Sequence, residues 1–247
     1  MGCAELSERS KYSNEGAESM NDSLRAAEIF VRKYYLKAYV PGHDWMHACR
    51  VRNLALFVGE GYEINKQALE MAALFHDVGR VEDDNNHALA SARVAMDFLK
   101  NFDFEDWFVD IVIKSIAEHE RIHEPTYLEG KILQDADKLD GMGAIGMIRI
   151  VEAAVTSKQS IEYDDANPFG AGCTDLEEWI DENIKEIPNK NLRVDSYIIE
   201  EIIGKEMQWI NMMWTDRARR MAERRFNFMK IFLKELEKDL KEPGVIR

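Results

Sequence analysis

Residues 74–80 read Leu74-Phe75-His76-Asp77-Val78-Gly79-Arg80, and this stretch decides the fold. It closes a run in which Leu69, Ala72, Ala73 and His76 recur at helix spacing, so the sequence predicts a core-facing helix over about 65–78. Gly79 reads as its stop. His76 and Asp77 then stand side by side at the end of an apolar segment. Two adjacent polar groups there are costly unless something binds them, and one divalent cation satisfies both.

The pattern on either side is also helical. Leu24, Ile29, Phe30 and Tyr34 form an apolar stripe from Asp22 until Pro41-Gly42. A second helix follows His43-Asp44-Trp45, with Asp44 as its expected N-cap. It carries Val51, Leu54, Ala55 and Val58, and it sets His47 and Arg50 three apart on one face. Glu82-Asp83-Asp84-Asn85-Asn86 reads as a loop, and a fourth helix runs from near His87 to about Lys100. A fifth is expected over about 104–120, with Trp107, Ile111, Ile116 and His119 to one side and Glu124-Pro125 as its break. Residues 129–149 read as two helices joined near Asp140-Gly141. From about Thr156 to Thr174 the chain is loop-like. Asp175 to Ile187 reads as a short helix ended by Pro188, and a last helical region is expected from about Leu192 to Leu240, with a break near Gly204. Its Met207, Ile210, Met213, Met221, Phe226, Phe228, Phe232 and Leu233 are expected to dock. No segment alternates with a period of two and no internal repeat is visible, so the expected class is all-α. Residues 1–22 are polar and read as a mobile tail, 23–155 as the main domain, and 156–247 as a loop and helical extension packed on it.

Lys and Arg number 32 against 46 Asp and Glu, a net charge of −14 over 247 residues. That balance argues against a nucleic acid polymer or an anionic membrane as partner. An anionic small molecule therefore needs a local cationic site. Cys3, Cys49 and Cys173 form no CxxC pair and no framework of disulfides, which suits a reducing cytoplasmic location. Neither a signal peptide nor a run of about 18 apolar residues is present in the sequence.

The histidine and carboxylate donors available suit Mn, Fe, Zn, Co or Ni, with Mg also kept in the set, and no cysteine joins them. Taken singly they say little. A lone histidine such as His47 is more often a hydrogen-bonded residue than a ligand. Asp135, Asp137 and Asp140 are rivals for one role. His119 and His123 stand four apart, a ligand spacing, although His123 reads as solvated beside Pro125. Gly141, Gly143 and Gly146 lack the strand before and the Lys-Ser/Thr after that a phosphate loop needs.

Taken together, the residues carry a resemblance. Gly42-His-Asp-Trp-Met-His47, Phe75-His-Asp-Val-Gly-Arg80, Ala117-Glu-His119 and the block Lys131-Ile-Leu-Gln-Asp-Ala-Asp-Lys-Leu-Asp140, which runs on to Arg149, resemble successive blocks of the HD-domain metal-dependent phosphohydrolases. The likeness is strongest over about 24–155, with Asn167-Pro168-Phe169 and Met207–Leu240 resembling that branch's C-terminal part. It implies metal ligands at His47, His76, Asp77 and Asp137, and it leaves Asp135 and Asp140 unassigned. Asp77 would bridge if a second ion bound, with His87 and His119 as that ion's further ligands. A Gly-Tyr-Pro hallmark is absent, and Glu120 rather than a second histidine follows His119. The implied activity is hydrolysis of a nucleotide or related phosphate ester by metal-activated water. Arg80, Arg50 and Lys138 are the candidates to neutralise phosphate charge, and Glu82 or Asp83 to orient the water. Two other readings stand beside it, a non-catalytic nucleotide-sensing module and a di-iron oxygenase of the same fold. The sequence leaves association open, a homodimer included.

Overall fold

The computed structural model describes residues 22–37, 40–120, 124–157, 180, 202 and 206–242. Among them the regular structure is entirely helical, in line with the expected class. In chain order the elements are α1 (22–35), α2 (Trp45–Val58), α3 (Lys66–Phe75), a 3-10 turn (Val78–Val81), α4 (His87–Leu99), α5 (Asp106–Ala117), α6 (Leu128–Asp140), α7 (Gly143–Ser157), a second 3-10 segment (Met207–Met212) and α8 (Asp216–Lys241). No helix of the described residues is long and apolar enough to cross a membrane. The chain divides into two compact units, 1–133 and 134–247, with the division inside α6.

The first unit is built on α3. Asn65 caps that helix by accepting from the Ala68 amide, and Ala68, Leu69, Met71, Ala72, Ala73, Leu74 and Phe75 are all fully buried. From Met71 on the helix is buried on every side, among α2, α4 and α5, while Lys66 is exposed and Gln67 and Glu70 are half-buried. Phe75 stacks with Phe30 at 5.9 Å, and Phe98 lies 5.1 Å from both, tying α1, α3 and α4 together.

Three expectations are corrected here. The helix ends at Phe75 and not near Val78, so His76 and Asp77 leave it and lead into the 3-10 turn. Gly79 is no stop. It lies inside that turn at an ordinary φ, and a Cβ on it would meet the Ser91 amide nitrogen at 2.3 Å and the His87 carbonyl at 2.5 Å. Its lack of a side chain serves close approach to α4. The fifth helix is shorter than expected, and its buried face is Phe108, Val112, Ser115 and Ile116, while Trp107 stays 54% exposed.

In the second unit α7 packs on α8. The join lies at Gly141-Met142, where Gly141 faces the Trp209 ring, and Gly143 has φ +73°. Thr215 caps α8 by accepting from the Ala218 amide. Met207, Met213 and Leu233 are buried as expected, but Phe228 and Phe232 are about two-fifths exposed. The final helix starts after Met213-Trp214-Thr215. The expected N-terminal tail, the loop beyond Ser157 with Asn167-Pro168-Phe169, the helix at 175–187 and the break at Gly204 lie outside the described residues, apart from the buried Ile180 and Ile202.

Candidate metal centre

Among the described residues of the first unit, His43, His47, His76, His87 and His119 all approach one carboxylate, that of Asp77. Gly42, at φ +72°, turns the chain so that His43 precedes α2. Asp44 then accepts from the His47 amide at 2.8 Å and holds His47 in the first helical turn. His76 and Asp77 follow the end of α3, His87 opens α4, and His119 lies just past α5. His47, His76, Asp77 and His119 are all at most 3% exposed.

The two oxygens of Asp77 face different neighbours. Oδ2 accepts from His43 Nδ1 at 2.5 Å and lies 3.4 and 3.5 Å from Nε2 of His47 and His76. Oδ1 lies 2.9 Å from Arg80 Nε and 3.5 and 3.6 Å from Nε2 of His87 and His119. No described donor is aligned on Oδ1 for a hydrogen bond, although the atom is buried.

Backbone carbonyls set the tautomers. A carbonyl only accepts, so the Nδ1 facing it carries the proton. His76 Nδ1 donates to Ala73 O at 2.8 Å, His119 Nδ1 to Ile116 O at 2.7 Å, and His87 Nδ1 to Asp84 O at 3.1 Å. With Nδ1 carrying the proton, the Nε2 of each ring is the atom that faces the carboxylate and offers a lone pair to a cation. Such backbone contacts orient metal-binding histidines. Nitrogen lone pairs gathered round a buried carboxylate repel unless a cation lies among them, so this donor set fits a divalent ion. His43, His47 and Asp77 form one group that fits a metal, and Asp77, His87 and His119 form another.

Electrostatics agree. Burial works against ionisation of Asp77, but Arg80, with His76 and His43 behind it, holds its carboxyl well below the usual carboxylate range. Burial pushes His87 below its ordinary value, and the Arg80 charge adds to that against the pull of Asp77. His43 is lowered to about 3, by burial foremost. Both rings are therefore neutral near pH 7, as ligands or acceptors must be.

The remaining candidates separate. Arg80 reaches the centre, while its Nη1 holds Asp84 at 2.6 Å. Glu82 instead accepts from the Tyr34 hydroxyl. Asp83 accepts from the Asn85 and Asn86 amides and the Asn86 side chain, and so shapes the loop before α4. Arg50 is half-buried on α2, one turn past His47. On α6, Asp137 is half-buried and Lys138 buried, with Lys138 Nζ donating to Gln134 Oε1 at 2.9 Å. The rivals of Asp137 have other work. Asp135 accepts from the Trp214 and Thr215 amides at 2.8 and 2.9 Å, and Asp140 pairs with Arg149 at 3.1 Å. His43 was not among the residues that the motifs singled out. The signal for it was its place between a positive-φ glycine and an N-cap.

Sequence and structure comparisons add the family. The HD-domain profile matches residues 44–142. The uncharacterised protein YpgQ of Bacillus subtilis is 30% identical over 210 residues, which span 83% of this chain and 86% of YpgQ. The chain belongs to the HD-domain family. It shares that family's metal-dependent phosphohydrolase class. The fold is also similar to the crystal structure of B. subtilis YpgQ in complex with ADP, with TM-score 0.64 and 26% identity over 92% of this chain and 98% of that one. An HD-superfamily hydrolase from Bacillus thuringiensis is similar at TM-score 0.65 and 26% identity, covering 90% and 99% of the two chains.

Proposed function

We propose that this HD-family protein hydrolyses a nucleotide or closely related phosphate ester, with His47, His76, Asp77 and Asp137 as the ligands of one divalent ion. The observation that carries the reading is the buried Asp77 carboxylate ringed by the Nε2 atoms of four histidines. Asp137 enters through the resemblance of its Ala-Asp-Lys-Leu block to the family's last ligand. The nucleotide enters through the ADP in the YpgQ structure. The net charge of −14 supports a small-molecule substrate over a polymer of nucleic acid, and the lack of a disulfide framework in the sequence supports a cytoplasmic setting.

A divalent ion bound there supplies Lewis acidity, lowering the pKa of water and polarising a phosphoryl oxygen. The protein's own part is orientation and charge. His76 offers a lone pair fixed by the Ala73 carbonyl. Asp77 stays ionised at neutral pH and brings negative charge that retains the ion. Arg80 provides a permanent positive charge at the same carboxylate, fit to meet a phosphate oxygen. Arg50 and Lys138 are secondary candidates for that task. Manganese is the metal of first choice for assay, since nitrogen and oxygen donors suit it.

The test is release of phosphate or pyrophosphate from a nucleotide panel with Mn²⁺. Turnover in the wild type, lost together with bound Mn²⁺ in His76→Ala and Asp77→Ala at unchanged helical circular dichroism, supports the reading. Saturable nucleotide binding without turnover, dioxygen uptake with iron, or full Mn²⁺ occupancy in either variant overturns it.

A further inference from the structure

Asp77 has the geometry of a carboxylate shared between two sites, yet one of its sides is already served by a side chain of this protein. On the Oδ1 side, His87 and His119 direct Nε2 lone pairs at a carboxylate oxygen 3.5 and 3.6 Å away, with both Nδ1 protons committed to backbone carbonyls. Three acceptors in one buried place require a positive charge. Arg80 supplies it. Its Nε lies 2.9 Å from Oδ1, and its Nη2 donates to His87 Nε2 at 2.9 Å. The Asp84 carboxylate, 2.6 Å from Nη1, steadies the guanidinium from outside. The 3-10 turn puts Arg80 three residues after Asp77, so the pairing is built into the motif.

We propose that the Arg80 guanidinium takes the place of a second metal ion on the Oδ1 side of Asp77, so that residue 80 limits the centre to one divalent cation. This rests on the metal-centre reading above and deepens it. Guanidinium is charged at every accessible pH, and a divalent ion a few ångströms away meets its repulsion with no proton to lose. Such an ion must both displace Nη2 from His87 and move a fixed positive charge off Oδ1. With an uncharged side chain at position 80, the carboxylate oxygen and two histidine nitrogens become a second ligand set.

The experiment is Mn²⁺ titration of the full chain followed by electron paramagnetic resonance, with no substrate present. Wild type is expected to take up one ion per chain. Arg80→Met and Arg80→Gln are expected to take up two, with the spin-coupled signal of a pair about 3.5–4 Å apart. Adding His87→Ala to Arg80→Met is expected to restore one. Circular dichroism melts identify any variant that does not fold, and the Gln variant keeps a polar side chain for that reason. Two ions in wild type, or one in both folded Arg80 variants, overturns the proposal while leaving the centre itself intact. A wild type that binds no Mn²⁺, with Asp77→Ala identical to it, removes the metal centre and the proposal with it.

Discussion

Gly79→Ala is the sharpest single test of how the site is assembled. The new Cβ would lie 2.3 Å from the Ser91 amide nitrogen, 2.5 Å from the His87 carbonyl and 2.6 Å from the Ala90 Cβ, whereas ordinary contact begins near 3.4 Å. The nearest two are backbone atoms inside α4 and cannot rotate away. The 3-10 turn and α4 must therefore separate by about 1 Å, and overpacking of that kind costs about 1–3 kcal/mol. The same movement stretches the 2.8 Å bond from the Gly79 amide to Ser91 Oγ, worth a further 0.5–1.5 kcal/mol or about that. Together the loss is about 2–4 kcal/mol, or roughly 10 °C in melting temperature for a chain of this size. The displaced segments carry Asp77, Arg80 and His87, so Mn²⁺ affinity should fall by about tenfold, as when a ligand's support is removed. Thermal melts by circular dichroism without metal, and Mn²⁺ titration below the melt, measure the two effects. A variant that melts within about 2 °C of wild type would refute the packing role of Gly79.

Asp135→Ala strands the Trp214 and Thr215 amides and the Thr215 hydroxyl, all now bound to Asp135; a loss of about 3–5 kcal/mol is expected in urea unfolding, and an unchanged midpoint would dismiss that anchor. Mn²⁺ at a hundred times its dissociation constant should stabilise the fold by about 2.7 kcal/mol. EDTA should reverse this and Asp77→Ala should abolish it, whereas equal stabilisation of that variant would place the ion elsewhere. Tyr34 is pushed up to about 12, by burial first and then by Glu82. An acid raised on folding favours the folded state fully below its unfolded value of about 10 and loses that contribution as pH climbs through 12. The absorbance difference between wild type and Tyr34→Phe should therefore show no tyrosinate step up to about pH 11, and a step near 10 would contradict the Tyr34–Glu82 pairing.

What could be read from the chain alone was local. Helix periodicity around Leu69–Phe75, the Asp44 cap and the breaks at Gly42 and Gly141 depend on neighbours a few residues apart, and they delivered the all-α class. The donor chemistry of His76 and Asp77 was likewise legible, because the sequence places adjacent polar groups at the end of an apolar run, whereas His47 entered only through the family resemblance. What depended on distant contacts was not legible. The approach of His43 to Asp77 was not read at all, and His87 and His119 came to Asp77 only through the family resemblance, because their gathering needs three loops to close on one point. The engagement of Asp135 by Trp214 and Thr215 spans about eighty residues. Trp107 looked like core and lies at the surface, since periodicity marks a face but not what covers it. Gly79 looked like a stop and is a point of contact, since the atoms that forbid a side chain there belong to α4. The amino-acid order thus decided which groups must be satisfied, through propensities and burial costs that act along the chain. Only the tertiary structure decided what satisfies them, because hydrogen bonds and ion pairs are set by distances of 2 to 4 Å or so between atoms far apart in sequence.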